Sequence, residues 1–226
     1  MNPEHVIAAP PPDLDRAALR TGADRLVLAL TDVQLDYLYR FWQVLVRWNR
    51  VHNLTAIRAG DEFLTHHLLD SLSVVRPLRQ VLAQGDIDSA QVLDVGSGGG
   101  LPGIPLAIAC PDLQFTMVDA VQKKAAFLSQ VALELPLRNV VVRHTRVESL
   151  CGQFDVVVSR AFASLARFTA CTRHLLAPGG CWLAMKGRVD VAELAELPAS
   201  VIVTATLPLA VPGLDEERHL IQMQPK

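Results

Sequence analysis

The stretch LDVGSGGGLPGIP, residues 93 to 105, places five glycines between an apolar strand pattern and an apolar helix pattern. Glycine loses more backbone freedom on folding than any other residue, so a run this dense belongs where the chain turns tightly or lies bare against a ligand. A strand, a glycine loop and a helix in that order open a doubly wound α/β sheet. Such a sheet holds its ligand outside the carboxyl end of the first strand.

Two ligands compete for the loop. Gly98 to Gly103 satisfies the dinucleotide pattern G-x-G-x-x-G, whereas Asp94 followed by Gly96, Gly98 and Gly100 is an acid ahead of G-x-G-x-G. An acidic Asp94 would repel a pyrophosphate but suits the ammonium and sulfonium charges of S-adenosyl-L-methionine. The dinucleotide pattern also starts two residues late. Pro102 within it and Pro105 behind it remove backbone N–H groups that a phosphate would need. Asp119, at the end of the next expected strand, suits the ribose of either cofactor. The methyl-donor reading is favoured.

Periodicity divides the chain. Residues 1–14, with Pro10 to Pro12, read as a flexible leader; 15–90 read as a helical extension; 91–226 read as an α/β core. Thr31-Asp32 caps a helix carrying Leu35, Leu38, Tyr39, Trp42 and Leu45, and a second helix over 62–75 is expected to stop near Pro77. Strands are expected at 92–95, 115–119, 140–144, 154–159, 181–186, 201–207 and 219–223. Helices are expected at 104–110, 122–135, 164–176 and 191–197. A run such as Val156-Val157-Val158 belongs to a parallel strand buried on both faces. The loop from Pro208 to Arg218 is too short for a crossover helix, so the last two strands pair antiparallel.

Composition excludes several classes. Half of the 226 residues are hydrophobic and 19% charged, which is a folding chain rather than a disordered one. A net charge of −2 gives no global sign of a polyanion partner. The four cysteines form no C-x-x-C pair and read as reduced thiols. The N-terminus lacks a signal-peptide pattern and no apolar run reaches the ~20 residues of a membrane span, so a cytoplasmic location is expected. His66 and His67 point ~100° apart on a helix and lack a third ligand, so no metal is expected.

Six strings then occur in order: WNRVHNLTAI (48–57), HHLLDSL (66–72), DVGSGGGLPGIPLAI, SRAFASL (159–165), MKGR (185–188) and ERHL (217–220). Together they resemble the RsmG/GidB family, the bacterial 16S rRNA guanine-N7 methyltransferases, over residues 35–224. The resemblance implies a class I S-adenosylmethionine-dependent methyltransferase core, Rossmann-like, with a mostly parallel seven-stranded sheet and an antiparallel last strand, plus the N-terminal helices. It implies methylation of N7 of guanine 527 in the 530 loop of 16S rRNA, with the 30S subunit as partner, and a monomer.

Carried across by motif, the resemblance places Gly96, Gly98, Gly100 and Leu101 around the methionine, with Asp94 beside them, and Asp119 on the ribose. It places Val147 and Glu148 at the adenine and Arg160 in the pocket as a positioning group. Guanine N7 has a free in-plane lone pair, so alignment is needed rather than a general base. Accordingly, Ser159-Arg160-Ala161-Phe162 lacks the Asp/Asn-Pro-Pro-aromatic pattern of exocyclic-amine methyltransferases and the nucleophilic cysteine of cytosine C5 enzymes.

Lys123, Lys124, Arg138, Arg143 and Arg146 share one segment with a single acid, Glu134, and Lys186, Arg188 and Arg218 follow. Lys124, Arg143, Lys186 and Arg218 are the expected RNA contacts. Phe41, Trp42 and Trp48 read as core. Asn49, Asn53, His66 and Asp70 either buttress the site or touch RNA. The segment from Pro208 to Glu217 reads as a loop at the crevice, a candidate lid.

Overall fold

The computed structural model describes residues 13–56, 60–85, 89–160, 162 and 164–226. The expected leader through residue 12, residues 86–88 of the polar break, and Ile57, Ala161 and Ala163 of the six strings lie outside them.

Before the sheet come α1 (Arg16–Arg25), α2 (Asp32–His52), the short α3 (Gly60–Phe63), a π-helical turn (Leu64–Leu69), α4 (Asp70–Leu72) and α5 (Val75–Gln84). The core then runs β1 (Gln91–Val95), α6 (Gly103–Ala109), β2 (Gln114–Asp119), α7 (Gln122–Glu134), β3 (Val140–His144) and β4 (Phe154–Ser159). It continues through α8 (Leu165–Thr172), β5 (Leu176–Lys186), α9 (Val191–Ala195), β6 (Val201–Pro208) and β7 (His219–Pro225).

Local chemistry accounts for the helix starts. The Thr31 hydroxyl accepts from the Gln34 N–H at 3.2 Å, and the Gln34 side-chain oxygen accepts from the Thr31 N–H at 2.9 Å, a reciprocal cap. The Gln34 amide also donates to the Ile108 carbonyl at 2.9 Å and so ties α2 to α6. Asp15 caps α1. Asp13 and Leu14, the end of the expected leader, are anchored: Tyr39 Oη donates to Asp13 at 2.6 Å and Leu14 is buried.

Two expectations between residues 60 and 85 need correction. One helix over 62–75 is expected, but the chain forms α3, a π turn and α4 in succession. Pro77 does not stop a helix either; it sits in the first turn of α5, where its missing N–H would have no intrahelical partner in any case. In the core the strand expectations hold, with β5 beginning earlier, at Leu176. The 164–176 helix ends at Thr172 and passes into a 3-10 turn, Arg173–Leu175.

The seven strands order β3-β2-β1-β4-β5-β7-β6. β1 to β5 pair in parallel, and β7 pairs antiparallel with both β5 and β6. Alternation sends Val156 and Val158 to one face and Val157 to the other, and both faces are covered. On the first face α2, α5, α6 and α7 form one continuous hydrophobic cluster. Phe41 and Trp42 of α2 lie in it, at most 3% exposed, as expected of core aromatics. On the second face Trp182 is fully buried and its indole N–H donates to Thr172 Oγ1 at 2.8 Å, which satisfies the one polar group burial would otherwise strand. The strand order reverses between β1 and β4, where a crevice opens above the carboxyl ends.

Candidate active site

The glycine loop follows β1 at that crevice. Gly96, Gly98 and Gly100 adopt φ of +70°, +53° and +82°, the left-handed region that only glycine enters without strain. Beyond Gly96 there is open space where a side chain would project, so the bare backbone faces the crevice. At Gly103 the requirement is packing: an added Cβ would lie 2.5 Å from Asp94 Oδ2.

Asp94 is fully buried. Its Oδ2 accepts from the Gly103 N–H at 3.0 Å, at the start of α6, while Oδ1 has no hydrogen-bond partner. Burial pushes its carboxyl up to about 7, against the opposing pull of the Gly103 hydrogen bond and of Arg160. Asp119, ending β2, accepts from Gly98 N–H at 3.0 Å and from Val121 N–H at 2.8 Å, one bond on each oxygen. Each carboxylate oxygen keeps a second lone pair for a ribose hydroxyl.

These groups fit S-adenosyl-L-methionine. The enclosed Asp94 carboxylate would act on a cationic ligand through its charge, and Gly96 adds no side chain that would bar one. A groove of about 380 Å³ continues from Gly96 past Asp119, Lys124, Val147 and Glu148 to Phe162 and Arg167. Gly96, Asp119, Val147 and Glu148 are thus brought together as expected. Leu101 differs: its side chain is buried in the core and its N–H turns inward to the Ser97 carbonyl at 3.2 Å. The Gly100 N–H does the same at 2.7 Å.

A second cavity of about 370 Å³ lies beside Arg160, lined by His66, His67, Asp70, Lys186, Arg218 and His219 among others. Arg160 follows β4, and its Nη1 donates to the His66 carbonyl at 3.0 Å and reaches Asp70 Oδ2 at 3.4 Å. Arg218 Nε approaches Asp70 Oδ1 at 3.5 Å, and its Nη2 pairs with Glu216 at 2.8 Å. Lys186 Nζ is held by Glu193 at 2.7 Å. His67 is held to about 4 by burial and by the Arg160 charge, so it is neutral at pH 7; its Nε2 lies 2.8 Å from Thr55 Oγ1. Arg160 and Phe162, two residues apart, therefore line different cavities.

The basic segment does not form one patch. Arg138 precedes β3 and Arg146 follows it, so the strand separates them, at about 3.3 Å per residue. Arg138 lines a cavity with Thr31 and Tyr37 of the α2 start, and Arg146 lines the groove at Asp119. Lys123 donates to the His52 carbonyl at 3.0 Å, fastening α7 to the end of α2. Lys124 lines the loop groove, while Arg143 is exposed on the edge strand and lines neither cavity. Thr145, Arg146 and Arg167 join the groove without having been singled out as ligand contacts. Thr145 and Arg146 directly follow β3, whereas Arg167 lies in the first turn of α8. Among the described residues no cluster of potential metal ligands occurs, and no helix is long and apolar enough to cross a membrane.

A pH dependence follows from Asp94. Free carboxylates ionise near pH 4 in the unfolded chain, whereas folded Asp94 keeps its proton to about 7. Between those values the folded state binds the extra proton, so this group's contribution to stability falls as pH rises. A cationic ligand reverses the preference. Melting temperature of the free protein should fall from pH 5 to pH 7.5 while affinity for S-adenosylmethionine by calorimetry rises. Asp94→Asn should flatten both slopes; an unaltered affinity profile in that variant would remove Asp94 from the site.

Comparison with known proteins bears on the whole chain. The sequence profile of the GidB family, described as rRNA small subunit methyltransferase G, matches residues 34–221. Ribosomal RNA small subunit methyltransferase G of Acidovorax sp. (strain JS42) is 53% identical over 213 residues, covering 92% of this chain and 94% of that protein. The protein of the same name from Leptothrix cholodnii is 50% identical, covering 94% and 96%. Among solved structures, magnesium protoporphyrin IX methyltransferase of Synechocystis PCC 6803, with bound SAM, superposes with a TM-score of 0.56 at 16% identity. That superposition covers 88% of this chain and 99% of that one. A ribosomal protein L11 methylase from Lactobacillus delbrueckii gives 0.50 at 15% identity, covering 66% and 76%. At these identities the structures establish the fold, that of class I methyltransferases.

Proposed function

The chain belongs to the GidB family of small-subunit rRNA methyltransferases, and from that premise we propose that it transfers a methyl group from S-adenosyl-L-methionine to N7 of guanine 527 in the 530 loop of 16S rRNA. The observation that supports the reading is a pair of cavities: a groove lined by Gly96, Asp119 and Glu148 among others, and a cavity beside Arg160 whose lining also carries Lys186 and Arg218. A polyanionic acceptor needs cations such as those of the second cavity, and a ribose needs a carboxylate such as Asp119.

When bound, S-adenosyl-L-methionine supplies an electrophilic methyl group. Asp94 and the glycine backbone would hold its methionine end, Asp119 the ribose, and Val147 with Glu148 the adenine. Arg160, Arg218 and Lys186 would draw RNA phosphate into the second cavity and orient the base. His67, beside Arg160, is held well below the usual imidazole range and is a weak base at pH 7. That is consistent with an acceptor nitrogen that carries no proton to remove. The enzyme's work is therefore positioning and water exclusion. Lys124, at the loop groove, and Arg143, on the edge strand β3, would add further RNA contacts. The enzyme would act as a monomer on 16S rRNA or the 30S subunit in the cytoplasm.

The test is methyl transfer from labelled donor to 30S subunits and to deproteinised 16S rRNA, both from a strain lacking the modification. Aniline cleavage and primer extension should map the label to guanine 527. Label entering protein or small metabolites only, or another nucleotide, would overturn the reading.

A further inference from the structure

The second cavity contains an acidic side chain where an RNA-facing surface should repel acids. Asp70 is buried, its side chain 4% exposed, and its Oδ1 accepts no hydrogen bond. It lies 3.4 Å from Arg160 Nη1 and 3.5 Å from Arg218 Nε, one guanidinium on each oxygen. Those two arginines come from distant parts of the chain, the end of β4 and the start of β7. Glu216 also pairs with Arg218, at 2.8 Å, whereas Asp70 faces both guanidiniums.

We propose that Asp70 is a positioning residue: its carboxylate holds the Arg160 and Arg218 guanidiniums as a pair that grips one backbone phosphate of the RNA beside the target base. The proposal rests on the rRNA reading above and assigns the site's anion recognition to a three-residue unit. A single guanidinium offers a two-pronged donor; two fixed together can surround a phosphate's oxygens. Asp70 is too enclosed to meet RNA itself, so its influence runs through the arginines.

The backbone explains why Asp70 is there. It follows the π-helical turn Leu64–Leu69, whose fifth-residue hydrogen bonding accommodates one more residue than an α-helical turn. One residue corresponds to ~100° of rotation. A regular helix over this stretch would aim residue 70 away from the position that faces both arginines. The same turn directs the His66 carbonyl at Arg160. Burial raises the carboxyl of Asp70, and the two arginines oppose that rise.

The experiment uses the full-length protein with Asp70→Asn, which keeps the shape and removes the charge. Three measurements are made: the KM for modification-deficient 30S subunits, the calorimetric affinity for S-adenosylhomocysteine, and the arginine Nε–Hε signals in ¹⁵N NMR without RNA. Expected are a rise in KM of about tenfold or more, affinity for S-adenosylhomocysteine within about twofold, and loss of slow exchange at both arginine signals. Asp70→Glu should restore part of the KM. Parallel loss of KM, ligand affinity and melting temperature, or unchanged arginine signals, would overturn the proposal. If Asp70→Asn does not fold, Arg218→Lys must show the same split, and an unchanged KM there would equally overturn it. A wild-type protein that methylates no rRNA defeats the functional reading instead; the arginine signals, recorded without RNA, still judge the clamp.

Discussion

Arg160→Ala should lower methyl transfer to 30S subunits by about 100-fold or more, the scale associated with misplacing a reactant by roughly an ångström. Three relations put Arg160 at the centre of the site. Its guanidinium bonds the His66 carbonyl, faces Asp70, and lies close enough to Asp94 for each to influence the other's ionisation. Removal therefore acts on both cavities. It also leaves Asp70 with one arginine instead of two, and a buried charge stripped of a partner is costly. Stability must accordingly be measured alongside activity. The expected pattern is a large fall in turnover, a smaller fall in S-adenosylhomocysteine affinity, and near-native helix content by circular dichroism. Arg160→Lys, which keeps the charge without the planar fork, should recover stability before activity. Activity and helix content lost together would make Arg160 a structural residue only.

The second large effect is on stability. Phe41→Ala should destabilise the fold by about 3–5 kcal/mol, the range for deleting a buried phenyl ring. Phe41 is fully buried, with ring centres 6.0 Å from Phe63 and 6.4 Å from Phe127. It therefore joins α2 to α3 and α7. It also lies beneath the glycine loop: a Cβ on Gly100 would stand 3.4 Å from the Phe41 ring edge. Denaturant titration should show a lowered midpoint. In addition, S-adenosylhomocysteine affinity should fall beyond what the unfolded fraction accounts for, because the loop loses its floor. A drop in stability with intact affinity in the folded fraction would separate α2 from the loop.

The loop itself was legible in the sequence. Asp94, Gly96, Gly98 and Gly100 lie within seven residues, and what they do depends on backbone conformation and local charge. Period-two alternation in the strands was equally local, which is why β3 and β4 have the expected limits. The antiparallel β7 followed from a connection too short to cross over.

Misreadings arose where local pattern and tertiary packing diverge. Pro77 signals a helix end only if it falls beyond the first turn; here a new helix starts at Val75, and Pro77 lies in its first turn. The basic segment from Lys123 to Arg146 looked like a patch because sequence distance was short. Yet a strand runs through it, and its ends serve different cavities. Leu101 sits in the right loop, but its side chain packs inward because the turn faces it to the core.

By itself the sequence determined the fold class, the cofactor class and the carboxyl-end crevice, since each depends on residues close in the chain. Only the tertiary structure decided the second cavity, where Asp70, Arg160 and Arg218 meet although widely separated in sequence. Their charges interact only at a few ångströms and inside a poorly solvated site, conditions that folding creates and that no spacing along the chain encodes.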